Sequence, residues 1–185
     1  FISSELKSIS DKCKVVDQFN HGSYLEYKKN DIFMIKKYYN NNYKIDPLRS
    51  EEFILNCIKN KLTKAVKKRL LSDRPIGALL SGGLDSSLIS GIICKIYKEL
   101  NIKNQLKTFS IGMKDATDLD YAKSVSDYIG SEHHTIECTE REFLNAIPEV
   151  IYNIESYDIT TVRASVGNYL VAKYIKENTD IVVLF

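Results

Sequence analysis

The sequence predicts an α/β fold built on a parallel, doubly wound sheet. Three observations predict it. From Ile76 onward, short apolar runs alternate with amphipathic helical stretches, the pattern of repeated strand–helix units. One strand-to-helix junction carries a Gly- and Ser-rich loop, Leu80-Ser81-Gly82-Gly83-Leu84-Asp85-Ser86-Ser87. The chain has 185 residues, enough for one such domain plus a piece of another. With 44% hydrophobic and 27% charged residues, the composition is that of a globular protein and excludes disorder.

Residues 1–46 differ from the rest. Gly22-Ser23-Tyr24-Leu25-Glu26-Tyr27 and Ile32-Phe33-Met34-Ile35 are rich in aromatic and β-branched residues, and Lys28-Lys29-Asn30-Asp31 separates them, so a β-hairpin is expected. A lone hairpin is marginal in water, so it is expected to belong to a larger sheet. Residues 38–43, with three adjacent Asn, read as a connector.

A long helix should start after Ser50, with Glu51 and Glu52 in its first turn. Phe53, Ile54, Cys57, Ile58, Leu62, Ala65, Val66 and Leu70 share one face, and the lysines opposite read as a solvated face rather than an RNA contact. The strand–helix units follow: a strand at 76–80, a helix through Leu88, Ile92, Ile96 and Leu100, and a strand at 107–111. Then come a helix through Leu119, Ala122, Val125 and Ile129 stopped by Gly130, and a strand at 134–138. Thr139 and Glu142 suit a capping box ahead of helical turns through Phe143, Ile147, Val150 and Ile154, with Pro148 expected to start a new helix or bend this one. A helix over 164–176 and a strand at 181–185 complete the pattern. Ligands of such sheets bind beyond the carboxyl ends of the strands, which points to the segments after Leu80, Ile111 and Phe185.

The loop after Leu80 carries the chemistry. Gly82 and Gly83 permit φ > 0 and close approach of backbone N–H groups to an anion, and the next helix turns its positive end to the same place. Ser81, Ser86 and Ser87 add hydroxyl donors, so the loop suits phosphate or pyrophosphate. The Asp85 carboxylate would repel a bare phosphate. It makes sense either as a ligand of Mg²⁺ carried by the phosphates or as a helix cap. Leu84 stands where a Walker A loop needs Lys, and G-x-G-x-x-G is absent, which disfavours γ-phosphate transfer and dinucleotide redox chemistry. His133 and His134 are adjacent strand residues that face opposite ways, so a shared metal is not expected.

The octapeptide resembles the pyrophosphate loop of the ATP-pyrophosphatase (PP-loop) superfamily, and Leu79-Leu80-Ser81-Gly82-Gly83-Leu84-Asp85-Ser86-Ser87 is most similar to the glutamine-dependent asparagine synthetase family. Thr108-Phe109-Ser110-Ile111-Gly112 resembles that family's second strand. Glu155-Ser156-Tyr157-Asp158-Ile159-Thr160-Thr161-Val162-Arg163-Ala164-Ser165 resembles a stretch of its synthetase site and is the most specific of the three. The resemblance implies an adenine nucleotide alpha hydrolase-like sheet over 75–185, a linker helix over 47–74, and the last helix and hairpin of a glutaminase domain over 1–46. It implies ATP and Mg²⁺ as cofactors, and aspartate and glutamine-derived ammonia as substrates. By that match Leu80 and Ile111 would meet the adenosine part. Ser81, Gly82, Gly83, Asp85 and Ser86 would meet pyrophosphate and Mg²⁺, and the catalytic Thr160, Thr161 and Arg163 would lie near the reacting carboxylate or the phosphates. Glu155 and Asp158 would help orient these groups. Read from the residues alone, the two Thr are equally suited to helix capping, and Arg163 to a helix surface.

The family's glutaminase nucleophile is an N-terminal Cys, whereas this sequence begins with Phe1 and has no initiator Met. It therefore reads as a fragment or processed product, expected to lack glutaminase activity and to leave the synthetase reaction incomplete. A second nucleotide loop of the family falls just beyond Phe185. Related loops serve NAD, GMP and β-lactam synthetases; the 155–165 stretch favours asparagine synthetase. A tRNA-modifying relative is expected to show paired cysteines, and Cys13, Cys57, Cys94 and Cys138 contain no C-x-x-C pair. The rival reading is a nucleotide-binding module without catalysis.

Lys plus Arg number 26 and Asp plus Glu 24, a net charge of +2 that gives no global reason for a nucleic-acid or anionic-membrane partner. No apolar run approaches the roughly 18 residues of a membrane span, and no secretory signal is present at Phe1-Ile2-Ser3-Ser4. Unpaired cysteines fit the cytoplasm. A homodimer of the full-length form is admitted.

Overall fold

The computed structural model describes residues 1–27, 34–40, 42 and 49–185. The chain divides into two compact units, 1–51 and 52–185. In the first, a single 3₁₀ turn (Leu6–Ser8) precedes strands β1 (Ser23–Glu26) and β2 (Met34–Lys37). These pair antiparallel with Ser23 opposite Lys37 and Glu26 opposite Met34. The hairpin is therefore present, and its second strand ends at Lys37, two residues beyond the expected Ile35. The turn at 28–31, Ile32, Phe33, and Asn41 and Tyr43 of the connector lie outside the described residues.

The second unit is the predicted α/β domain. Its elements are α1 (Glu51–Arg69, from the unit boundary), β3 (Ile76–Leu79), α2 (Leu84–Glu99), β4 (Lys107–Gly112), α3 (Thr117–Ile129), β5 (Glu132–Glu137), α4 (Glu140–Ile154), α5 (Ile159–Asn178) and β6 (Val183–Leu184). Four strands pair in the order β5-β4-β3-β6, all parallel. The chain steps outward from β3 to β4 to β5, then returns past β3 to β6. The winding thus reverses at β3, and its carboxyl end is the switch point where such sheets bind ligands.

Side chains alternate across the strands, so each face of the sheet builds its own core. Ala78 and Leu106 pack with Ile93, Cys94 and Ile96 of α2 and Val66 of α1. Phe109 and Ile136, with Leu79 and Ile111, pack on the other face against Val171 and Ile175 of α5 and Ile181. Helix α4 meets α5 through Ala146, Val150 and Val166. Both faces of β3 and β4 are covered, which is why these strands have few charges. Gly130 ends α3 at φ +73°, a left-handed position open to Gly at no steric cost.

Four expectations differ in detail. The apolar face of α1 is buried only in its last turns; Phe53, Ile54 and Ile58 are exposed. Of the two roles expected of Pro148, it does not start a new helix; it sits inside α4. Helix α5 begins at Ile159, five residues before the predicted start, and β6 spans Val183–Leu184, later than the predicted start at 181, while Phe185 still bonds to Gly77 and Leu79 of β3.

Candidate functional site

The loop between β3 and α2 lies at the switch point. It is anchored from β4: the Leu80 N–H donates to the Phe109 carbonyl at 2.8 Å. Leu80 is 1% exposed, packed beneath the loop it begins. Gly82 adopts φ +77°, and a Cβ there would lie 2.5 Å from the Tyr121 Cβ and 2.7 Å from the Ala122 nitrogen of α3. Only glycine fits this close approach. Gly83 occupies the N-cap position of α2 with no side-chain cap.

The serines brace the loop from within. The Ser86 hydroxyl lies 3.0 Å from the Ser81 hydroxyl, accepts the Ser81 N–H at 3.2 Å and donates to the Gly83 carbonyl at 3.2 Å. The Gly83 N–H donates to the Ser81 hydroxyl at 3.3 Å. The first intrahelical bond of α2 comes from Ser87 N–H to the Gly83 carbonyl at 3.0 Å. The N–H groups of Leu84, Asp85 and Ser86 therefore point out of the helix end without intrahelical partners, a ready anion site. The Ser87 hydroxyl is buried with no hydrogen-bond partner, the state of a donor that a ligand oxygen could take up.

Asp85 is in the first turn of α2 and exposed. The cap position is taken by Gly83, so of the two roles open to Asp85 in the sequence, capping is excluded. No group of three or more His, Cys, Asp or Glu able to hold a metal exists among the described residues. One exposed carboxylate beside a phosphate cradle is still the donor set Mg²⁺ uses when it arrives with phosphate oxygens, since it keeps most of its waters and takes one or two carboxylates.

On the neighbouring strand, Ile111 is half-buried and lies against Gly167 of α5; a Cβ on Gly167 would be 3.8 Å from the Ile111 Cγ2. Thr160, Arg163 and Gly167 share one face of α5 at helical spacing, so Thr160 and Arg163 continue the Gly167 stripe past the end of β4. Arg163 is exposed there. Thr161 points differently. Its N–H and its hydroxyl both donate to Asp158 Oδ1 at 2.8 Å, and Asp158 is the N-cap of α5. These bonds hold the Asp158 carboxyl below the usual aspartate range. Glu155 ends α4 in the left-handed region at φ 54°. Among the described residues no hydrogen bond joins the serine-braced loop to the Asp158–Thr161 pair. The sheet brings both to one edge of the domain, and side-chain contact does not bridge them.

Two concave regions of this unit lie elsewhere. One, of about 810 Å³, opens at the amino ends of the strands and is lined by Arg74, Tyr97, Lys107, Glu132 and Asp180. The other, of about 610 Å³, lies between β5, α4 and α5. The candidate site is instead an exposed cradle, as expected where a helix amino end and backbone N–H groups do the holding. His133 and His134 diverge as predicted: His133 meets Thr108 and Ser110, whereas His134 pairs with Glu132 at 3.1 Å and stacks on Phe109. All four cysteines are free thiols. No helix among the described residues is long and apolar enough to cross a membrane.

A family model described as asparagine synthase matches residues 58–185, a span that contains the 81–87 loop, β4 and the start of α5. The glutamine-hydrolyzing asparagine synthetase of Mus musculus is 53% identical over 137 residues, covering 72% of this chain and 24% of that protein. Its Homo sapiens counterpart is 50% identical over 147 residues, covering 80% of this chain and 26% of that protein. The chain thus spans about a quarter of the length of the curated relatives it matches. Among solved structures, the NH3-dependent NAD synthetase from Campylobacter jejuni matches with a TM-score of 0.44 and 16% identity, over 69% of this chain and 54% of that chain. With the family model covering the whole sheet and half-identical relatives across more than two thirds of the sequence, the chain belongs to the asparagine synthase family.

Proposed function

We propose that this chain carries the nucleotide side of an ATP-dependent amide ligase that converts aspartate to asparagine. In this reading the aspartate β-carboxylate is activated as an aspartyl-adenylate, and ammonia drawn from glutamine displaces AMP. The observation that carries it is the glycine-serine cradle at the switch point of a parallel sheet in a chain of this family.

The backbone N–H groups of Leu84, Asp85 and Ser86 and the hydroxyls of Ser81 and Ser86 hold pyrophosphate, with Gly82 and Gly83 keeping the backbone close. Asp85 holds Mg²⁺, which when bound neutralises phosphate charge. The adenosine part rests on the ends of β3 and β4, against Leu80 and Ile111. Arg163, on the stripe that passes the end of β4, presents a guanidinium to the charge that develops on the transferred group. Thr160 hydrogen-bonds near the same carboxylate. Asp158 fixes Thr161 and with it the first turn of α5, and Glu155 shapes the approach to that turn. Residues 1–46 as a piece of a glutaminase domain, 47–74 as a linker helix, 75–185 as the synthetase sheet, a cytoplasmic setting and a homodimer of the full-length form belong to the same reading.

The test is the nucleotide product. The full-length protein that contains this chain, given ATP, Mg²⁺, aspartate and ammonia, should release AMP and pyrophosphate only when aspartate is present. Release of ADP and phosphate would overturn the reading. Asp85→Asn should lower aspartate-dependent pyrophosphate release by about ten-fold or more while leaving glutaminase turnover intact; wild-type release from that variant removes Asp85 from the metal site.

A further inference from the structure

The buried polar side chains of the second unit are Ser90, Thr108, Ser110 and Ser126, and three of them belong to one hydrogen-bonded chain. Ser126 of α3 lies 2.8 Å from the Ser131 hydroxyl, which lies 2.9 Å from that of Thr108. The Thr108 hydroxyl is 2.9 Å from His133 Nδ1, and His133 Nε2 is 3.0 Å from the Ser110 hydroxyl. The chain runs from the end of α3, across β5, to the carboxyl half of β4. It ends beside the nucleotide cradle: Ser110 follows Phe109, whose carbonyl anchors the Leu80 N–H, and precedes Ile111.

Such a chain has a direction. Each hydroxyl donates one proton, and a neutral imidazole donates at one nitrogen and accepts at the other. If Nδ1 carries the proton, it donates to Thr108, Thr108 to Ser131, Ser131 to Ser126, and Ser126 to the Ser131 carbonyl at 3.2 Å. Ser110 then donates to Nε2, and its proton is turned inward. If Nε2 carries the proton, Ser110 accepts it, the hydroxyl bonds from Ser126 through Ser131 and Thr108 to Nδ1 reverse, Ser126 gives up its bond to the Ser131 carbonyl to donate to the Ser131 hydroxyl, and the Ser110 proton is released toward the end of β4. We propose that His133 is a positioning residue for the ligand end of β4, its tautomer setting the orientation of the Ser110 hydroxyl and thereby the seat of the strand segment that abuts Leu80 and Ile111. This rests on the reading that the cradle takes ATP.

The surroundings keep this imidazole neutral. Burial lowers its affinity for a proton, and Lys123 of α3 and the neighbouring His134 of β5 lower it further, while Asp127 of α3, itself ion-paired with Lys123, opposes them. β4 presents only the two hydroxyls. On acidification both ring nitrogens become donors, and Thr108 and Ser110 must both accept.

Two measurements test the proposal. In the nucleotide-free protein near neutral pH, the imidazole ¹⁵N shifts of His133 should show one protonated and one bare nitrogen, and Ser110→Ala should shift the tautomer balance. A balance indifferent to Ser110→Ala overturns the coupling. In the full-length protein, His133→Asn places its amide near the Nδ1 position and keeps only the Thr108 bond, whereas His133→Gln reaches the Nε2 position and keeps only the Ser110 bond. The KM for ATP should rise about five-fold in the Asn variant and less than about two-fold in the Gln variant, with kcat changed less than about two-fold in both. The wild-type KM should also change as pH falls below the ordinary histidine range, and the Gln variant should lose that inflection. Equal KM values in the Asn and Gln variants would mean a merely structural histidine. Failure of the protein to release AMP would count against the nucleotide reading alone, because the imidazole measurement contains no nucleotide and decides the coupling by itself.

Discussion

Gly82 concentrates two demands in one residue, a positive φ and a gap too small for a methyl group. A side chain at this φ costs about 1 kcal/mol in backbone strain, and overlap with α3 backbone adds about 1–3 kcal/mol. Gly82→Ala should therefore destabilise the domain by about 2 kcal/mol or more, read as a lower denaturant midpoint. Gly91, inside α2, is the control. A Cβ there would have only Ile129 Cγ2 near it, at 3.9 Å, so Gly91→Ala should stabilise by about 0.5–1 kcal/mol. If both variants lose stability alike, the close approach at Gly82 is not what sets its cost. The need for glycine at 82 was legible in the sequence, because a Gly-Gly pair between a strand and a helix has few other uses. The partner that enforces it was not: Tyr121 and Ala122 stand about forty positions away and meet the loop only through the fold. The His133 chain was hidden for the same reason. Alternation showed that the two histidines part, but hydroxyls on β4 and α3 cannot be assigned to one of them before the strands are in register.

At the level of elements, local rules read the caps well where they stood alone. Thr139 and Glu142 form the predicted capping box, with Glu142 N–H donating to the Thr139 hydroxyl at 3.3 Å and Thr139 N–H donating to the Glu142 carboxylate at 2.7 Å. The start of α5 was missed because Thr160, Thr161 and Val162 are β-branched and weaken the helical signal just after its cap. The Asp158 bonds to Thr161 supply what propensity lacks. α4 runs through Pro148 because the carbonyl deprived of its partner belongs to exposed Leu144, where water can take it up. The Asp158 cap has a pH signature. Its carboxyl titrates below the ordinary value in the folded state, so its contribution is present above the unfolded aspartate pKa of about 3.9 and is lost as pH falls through the lower folded value. Asn caps nearly as well as Asp but does not titrate. Asp158→Asn should thus leave stability near pH 7 almost unchanged and flatten the fall in unfolding temperature between about pH 5 and 2. An unchanged acid limb would assign that fall to Glu142 and Asp180, whose carboxyls are likewise held low by their hydrogen bonds to Thr139 and Lys107.

The whole chain holds two units of very different depth. The second buries three apolar clusters on the two faces of its sheet and against α4. In the first, none of the described residues is buried; Phe1 and Val15 are 90% and 78% exposed, and among the described residues the hairpin pairs from Ser23–Lys37 to Glu26–Met34, with Tyr24 and Tyr38 in ring contact. The sequence marked the hairpin as marginal by itself and as part of a larger sheet, because two strands alone bury too little apolar area to offset their chain entropy. Amide exchange measures the difference directly. Amides of β1 and β2 should exchange through local opening, at least about a hundred-fold faster than those of Leu80, the β4 core and α2, which open only with the domain as a whole. Denaturant well below the unfolding midpoint should speed the second group and leave the first unchanged, because local fraying exposes little surface while global opening exposes much. Equal protection in both units would show that the hairpin is secured by packing beyond its own strand pairing, and would make the two units one cooperative structure.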